Sequence, residues 1–211
     1  MSTVGVLLVD DHAVVREGYR LLLERAGDIR VLGEAADAAG AIAQFQALRP
    51  QVVVMDIALP GVSGIDALRE IRSASPSARV LIFSMYEDAI FAQRALKAGA
   101  QGYVTKASAP ATLVEAVRAV AAGKMYLTPS LAQDLALRSL SPEPPRGDEL
   151  SAREFEVLRL LVQGVPVRDI AARLGLTAKT VANHQSLIRQ KLGVETAVQL
   201  LQAAARLGIE G

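Results

Sequence analysis

Asp10, Asp11, Asp56, Ser84 and Lys106 share one feature: each stands where a run of apolar residues ends. Three carboxylates crowded together would repel one another. They become reasonable partners around a hard divalent cation, and Mg²⁺ takes one or two carboxylates together with phosphate oxygens while keeping several waters. A hydroxyl and an ammonium would complete a cradle for a phosphoryl group, and an aspartate is a competent nucleophile towards phosphorus. Each residue taken singly has a plainer use. Asp56, and the Asp10-Asp11 pair, could cap helices; Ser84 could be a turn hydroxyl and Lys106 a solvated surface lysine. The chemistry requires all five to meet.

Elements able to bring them together can be read from the hydrophobic pattern. Residues 4–9 form an apolar run that stops at Asp10-Asp11, and residues 13–26 then show helical spacing through Val14, Val15, Leu21, Leu22 and Leu23 before Gly27. The alternation repeats at residues 29–35 and 40–48, 52–57 and 65–71, 80–84 and 89–98, and 102–105 and 110–122. The Val52-Val53-Val54-Met55 run has no polar alternation, as expected of a strand covered on both faces. Five strands alternating with five helices predict an α/β, doubly wound parallel sheet, in which ligands gather beyond the carboxyl ends of the strands. All five polar residues fall at those ends, and Pro60, Gly61 and Gly64 keep the loop after Asp56 short.

The set VDD at the first strand, MD at the third, S at the fourth and TK at the fifth resembles the receiver domain of bacterial two-component response regulators, over residues 4–123. The resemblance implies a flavodoxin-like receiver in which Asp56 is the phosphoacceptor for a sensor histidine kinase. Asp10, Asp11, Asp56 and the backbone carbonyl of Ala58 would hold Mg²⁺. Ser84 and Lys106 would engage the phosphoryl group. Tyr103 occupies the aromatic switch position, either as a ring that turns inward on phosphorylation or as a half-buried strand tyrosine with its hydroxyl in water. Ala107 stands where many receivers have a proline after a cis bond, which leaves the geometry of the Lys106-Ala107 peptide open.

Residues 124–149 break the alternation. Thr128-Pro129 begins one amphipathic helix ending near Leu140, and SPEPPRGDE, with Pro142, Pro144 and Pro145, reads as a semi-rigid tether. Residues 150–211 are helical throughout. Ser151 and Glu154 make a capping box, Phe155, Leu158, Leu161 and Val162 point inward, and a Gly175-Leu176-Thr177 turn separates helices at residues 167–174 and 178–192. In the second of these, Val181, Leu187, Ile188 and Leu192 are the expected inner face. The string LSAREFEVLRLLVQGVPVRDIAARLGLTAKTVANHQSLIRQKLGV resembles the LuxR-type DNA-binding domain, so the whole chain looks like a response regulator of the NarL/FixJ family. By position in that motif, Ala182, Asn183 and Ser186 would meet base edges. Lys179, Thr180, His184, Arg189 and Lys191 would meet phosphates. Ala182 replaces a common lysine, shifting specificity towards Asn183 or Gln185. The last helix, residues 196–207, presents Val198, Leu201 and Ala205 on a face too apolar for a lone small domain, which suits a two-fold dimer on a palindromic site.

Charge and composition agree without deciding. Net charge is +1, but residues 150–211 carry eight basic and five acidic groups, so the positive excess lies in the part expected on DNA. No cysteine is present, and no apolar run approaches a membrane span, so a cytoplasmic, non-membrane protein is expected. The expectations are a phosphorylation-controlled regulator, homodimeric when phosphorylated, with promoter DNA, a histidine kinase and RNA polymerase as partners. It would not be an enzyme beyond its own phosphoryl transfer and slow dephosphorylation. An Mg²⁺-dependent aspartyl-phosphate hydrolase is a rival, but its general acid belongs where Ala58 stands. The other rival is a DNA-binding regulator whose receiver works without phosphorylation.

Overall fold

The computed structural model describes residues 3–139 and 150–209, and the chain divides into two compact units at residues 140 and 141. The proline-rich tether expected at residues 141–149 lies outside the described residues.

In the first unit, β1 (Val4–Val9), β2 (Ile29–Ala35), β3 (Val52–Met55), β4 (Val80–Ser84) and β5 (Gly102–Thr105) alternate with α1 (Ala13–Glu24), α2 (Ala38–Leu48), α3 (Gly64–Ala74), α4 (Ala89–Lys97) and α5 (Pro110–Ala121). All pairings are parallel and the strand order is β2-β1-β3-β4-β5-β6. The sixth strand corrects the expected five. It is β6 (Tyr126–Leu127), which pairs Tyr126 with Gly102 and Leu127 with Tyr103 at the open edge of β5. Two residues are too few to leave a periodic signal, and what fixes them is a neighbouring row of unpaired backbone groups. The helix expected after it is α6 (Pro129–Ser139), which packs near α4 and buries Leu131.

The four central strands β1, β3, β4 and β5 are buried on both faces, as their unbroken apolar runs require. Val6, Leu8, Val54, Leu81, Phe83 and Val104 pack with Leu113, Ala116, Val117 and Val120 of α5 and Leu23 of α1 in one cluster. Tyr19 meets Phe83 edge-on, ring centroids 4.6 Å apart. The inner face of α1 is narrower than its spacing suggested: Val14 is 87% exposed and Leu21 52%, whereas Leu23 is sealed.

The second unit is four helices, α7 (Ala152–Val162), α8 (Val167–Arg173), α9 (Ala178–Leu192) and α10 (Ala197–Arg206). Ser151 and Glu154 form the expected capping box on α7, and Thr196 and Gln199 form a second on α10. Phe155, Leu158, Ile170, Leu174, Val181, Ile188, Leu200 and Ala204 are buried. Leu187 is a correction, since it is 44% exposed, and Leu192, Leu161 and Val162 are only half-buried. Val181 and Ile188 lie two turns apart on one line, and Leu187, one residue earlier, is rotated about 100° off it.

Candidate functional site: an acid pocket and a recognition helix

The pocket lies where β1 and β3 adjoin, the point at which the winding of the sheet reverses. Asp10 and Asp56 end neighbouring strands, and both are almost fully buried. Lys106, arriving from β5, places its Nζ 2.5 Å from Asp10 Oδ2 and 2.5 Å from Asp56 Oδ2. Burial works against the ammonium, yet Asp56 and Asp10 outweigh it and hold the Lys106 pKa above its ordinary 10.5. Lys106 is therefore a fixed cation between two carboxylates. The Ala58 N–H donates to Asp56 Oδ1 at 3.3 Å. Ser84, fully buried at the end of β4, accepts from the Tyr86 N–H at 3.4 Å, and its carbonyl accepts from the Lys106 N–H at 2.8 Å.

Asp56 keeps its place through Gly64. A Cβ on Gly64 would stand 1.9 Å from the Asp56 carbonyl oxygen, so the start of α3 can approach the end of β3 only without a side chain there. Ser63 caps the same helix by accepting from the Ile65 N–H.

Asp11 is less buried than Asp10 and faces His12, whose Nδ1 lies 2.7 Å from Asp11 Oδ1. Asp10, Asp11 and His12 bring ligand atoms within 4.8 Å of one another. Asp11 Oδ1 is sealed from solvent without a hydrogen-bond donor in proper geometry, which leaves it able to accept a cation. A buried and a half-buried carboxylate side by side, one of them with an unsatisfied oxygen, are a donor set that suits Mg²⁺. The sequence gives no sign that His12 lies against the acid pair, because a histidine three residues past a strand end has no diagnostic spacing.

The Tyr103 ring is completely buried and its hydroxyl donates to the Tyr86 carbonyl at 2.7 Å, so the half-exposed, wet hydroxyl is not what the fold contains. Burial above all, with Asp56 adding to it, pushes the Tyr103 pKa well above 10.0 and keeps it a donor. Tyr86 in turn stacks on Phe91 of α4 at 4.1 Å. Ser84, Tyr86, Tyr103 and α4 thus form one contiguous chain of contacts. The Lys106-Ala107 peptide is trans, there being no cis bond among the described residues.

On α9, the second helix of the helix-turn-helix, Lys179, Ala182, Asn183 and Ser186 are exposed. The Thr180 hydroxyl is engaged with Thr177, whose side chain caps the helix through the Thr180 N–H, and Ser186 donates back to the Ala182 carbonyl. His184 is half-buried, and burial lowers its pKa from 6.5, so it is a neutral imidazole at neutral pH. Lys191 is committed within the fold: its Nζ lies 2.7 and 2.9 Å from the two oxygens of Glu154, tying α9 to α7. Sequence spacing could not reveal that bond, which joins residues 37 apart.

A doubly wound sheet with a buried Asp-Lys-Asp cluster and a further aspartate, Asp11, next to it, followed by a helix-turn-helix unit, defines a receiver coupled to a DNA-binding module. Residues 6–118 match the family described as "Response regulator receiver domain" and residues 148–204 the family described as "Bacterial regulatory proteins, luxR family". The chain belongs to the NarL/FixJ response regulators, with a receiver and a LuxR-type DNA-binding domain. It is 39% identical to the transcriptional activator protein ExaE of Pseudomonas putida over 98% of both chains. Among solved structures, a LuxR-family two-component response regulator from Aurantimonas sp. SI85-9A1 is 48% identical, with a TM-score of 0.64 over 66% of this chain and all of that one. RcsB of Salmonella enterica serovar Typhimurium, bound to promoter rprA in the presence of phosphomimetic BeF₃⁻, is 27% identical, with a TM-score of 0.64 over 97% of this chain and 99% of that one.

Proposed function

We propose that Asp56 accepts a phosphoryl group from a sensor histidine kinase and that this controls binding of the second unit to promoter DNA. The observation that carries this reading is the buried Lys106 bridge between Asp10 and Asp56. A carboxylate oxygen held beside a fixed cation is placed to act as a nucleophile, with the cation at hand for the charge that develops on the transferred group. An Asp56 oxygen attacks the phosphorus, the new O–P bond forms, and the N–P bond to the kinase histidine breaks with its electron pair returning to the imidazole. Lys106 then pairs with the phosphoryl oxygens, and the Ser84 hydroxyl donates to one of them. Asp10, Asp11, Asp56 and the Ala58 carbonyl would hold Mg²⁺, which offsets the charge of the carboxylates and of the transferring group.

Movement of the Ser84 hydroxyl reaches Tyr86 and, through its carbonyl, the Tyr103 hydroxyl, so the phosphoryl charge biases the α4 face. Lys179 meets DNA phosphates, with Thr180 and Arg189 nearer the helix flanks, and Asn183 with Ala182 and Ser186 faces base edges. Lys191 serves as a strut through Glu154 and His184 as a neutral donor. The exposed Val198 and Leu201 of α10 make a homodimer the natural bound form. The protein works in the cytoplasm, and RNA polymerase is a further partner at the promoter; no helix among the described residues is long and apolar enough to cross a membrane.

The test compares wild type with Asp56→Asn for DNA affinity and oligomeric state, with and without acetyl phosphate. Wild type is expected to tighten on DNA and to associate on phosphorylation, and the variant to do neither. An equal response from both proteins would favour a receiver that works without phosphorylation.

A further inference from the structure

Arg16, in the first turns of α1, touches none of the groups that handle phosphate, yet it grips the backbone that carries them. Its Nη1 donates to the Asp10 carbonyl oxygen at 2.6 Å, and its Nε donates to Glu34 Oε2 of β2 at 2.8 Å. Glu34 is held from a second side by Arg20, Nε to Oε1 3.3 Å, and Arg20 is itself paired with Glu17. On its other side, the Asp10 N–H is fixed to the Ala35 carbonyl at 3.1 Å. The Asp10-Asp11 peptide plane is therefore pinned at its carbonyl by a guanidinium whose own orientation is set by a carboxylate.

That plane sets where Asp11 points. Asp10 is located independently, by Lys106 on Oδ2 and by the His12 N–H on Oδ1 at 2.8 Å. Asp11 has no comparable anchor: its Oδ1 lacks a donor in proper geometry, and its close neighbour among the described residues is the exposed His12 ring. Rotation of the peptide between the two residues would swing the Asp11 carboxylate away from Asp10 and open the pair. We propose that Arg16, oriented by Glu34, is a positioning residue that holds Asp10 and Asp11 in register for capture of a divalent cation. This rests on the reading that the acid pair holds Mg²⁺ for phosphoryl transfer to Asp56.

The sign of the effect separates positioning from plain charge. Arg16 is a cation close to the metal site, so if it acted through its field alone, neutralising it would tighten cation binding. If it acts by fixing the peptide, neutralising it weakens binding, and outer-shell partners of metal ligands are typically worth about 10- to 100-fold in affinity. A strut joining α1 to β2 with no role in the site would lower stability and leave affinity alone.

The experiment uses the full chain and Mn²⁺ as the probe, free Mn²⁺ being counted by its solution electron paramagnetic resonance signal, with Mg²⁺ as competitor. Arg16→Met should weaken Mn²⁺ binding by roughly 10-fold or more. Glu34→Gln should weaken it less, and Arg16→Lys, which keeps one donor for the carbonyl, should recover part of the loss. Circular dichroism and urea unfolding accompany every variant. In acetyl phosphate labelling, the half-saturating Mg²⁺ concentration should rise by the same factor while the rate at saturating Mg²⁺ stays near wild type. Unchanged or tighter Mn²⁺ binding in folded Arg16→Met overturns the proposal. Should that variant not fold, unchanged affinity in both Arg16→Lys and Glu34→Gln overturns it equally. Wild type that binds Mn²⁺ but is not labelled at Asp56 sinks the phosphoacceptor reading alone, and the affinity comparison still decides the role of Arg16. Wild type that binds no Mn²⁺ overturns both.

Discussion

Glu154 does two things with one carboxylate. It accepts the Ser151 N–H at 2.6 Å to close the capping box of α7, and it binds Lys191 of α9. Burial opposes its charge, but Lys191 and the Ser151 backbone outweigh that opposition and hold its pKa below the ordinary 4.5. A carboxyl lowered on folding adds stability that is complete above its unfolded pKa and is lost as pH falls through the lowered one. Glu154→Gln should therefore destabilise the second unit by about 1.5–3 kcal/mol at neutral pH, the usual worth of hydrogen bonds to a charged group. The gap from wild type should close below the ordinary carboxyl pKa of 4.5, as wild type loses the same charge. Urea unfolding of both proteins across that pH range measures it, and a gap that does not depend on pH would contradict the assignment.

At the scale of elements, the junction of β3 and α3 carries the tightest constraint. Ser63 sets the first turn of α3 and Gly64 allows that turn to lie against the Asp56 carbonyl. In Gly64→Ala the methyl meets backbone rather than the end of a flexible side chain, so the helix or the strand end must move. Overpacking of this kind costs about 1–3 kcal/mol. Because the part that moves carries Asp56, acetyl phosphate labelling should fall further than stability does. Labelling at the wild-type rate in a protein destabilised by that amount would show that the junction does not position the carboxylate. The β6-α6 pair belongs to this scale too. The sequence shows residues 124–139 only as a break in the alternation, because two residues of strand and one amphipathic helix carry no mark of the sheet they join; the free edge of β5 and the side of α4 decide their place.

For the molecule as a whole, the two units have different needs. The first contains its own core on both faces of a sheet, whereas α10 of the second leaves Val198 63% and Leu201 48% exposed. Exposed apolar residues in one stripe, with Ala205 alongside, are the surface a two-fold partner would cover. Val198→Glu with Leu201→Glu should leave phosphorylation of Asp56 intact. It should abolish cooperative binding to DNA carrying two half-sites, with little loss of affinity for a single half-site. Gel-shift titration on the two DNA lengths reads the difference, and retained cooperativity would place the dimer contact elsewhere.

The sequence by itself determined five of the six strands, their parallel pairing and the polar residues where four of them end, because a buried parallel strand must be an unbroken apolar run and must stop where water or chemistry begins. It also determined the helix-turn-helix, whose caps and small crossing residues are local. Tertiary structure alone decided the links between distant residues: the Lys106 to Asp10 bond across 96 positions, the Lys191 to Glu154 bond, the burial of Tyr103 and the hold of Arg16 on the Asp10 carbonyl. Such bonds depend on which face a side chain presents once strands are registered and helices are seated on them. A string of residue types carries periodicity along the chain, and nothing in that periodicity states which lysine meets which carboxylate across it.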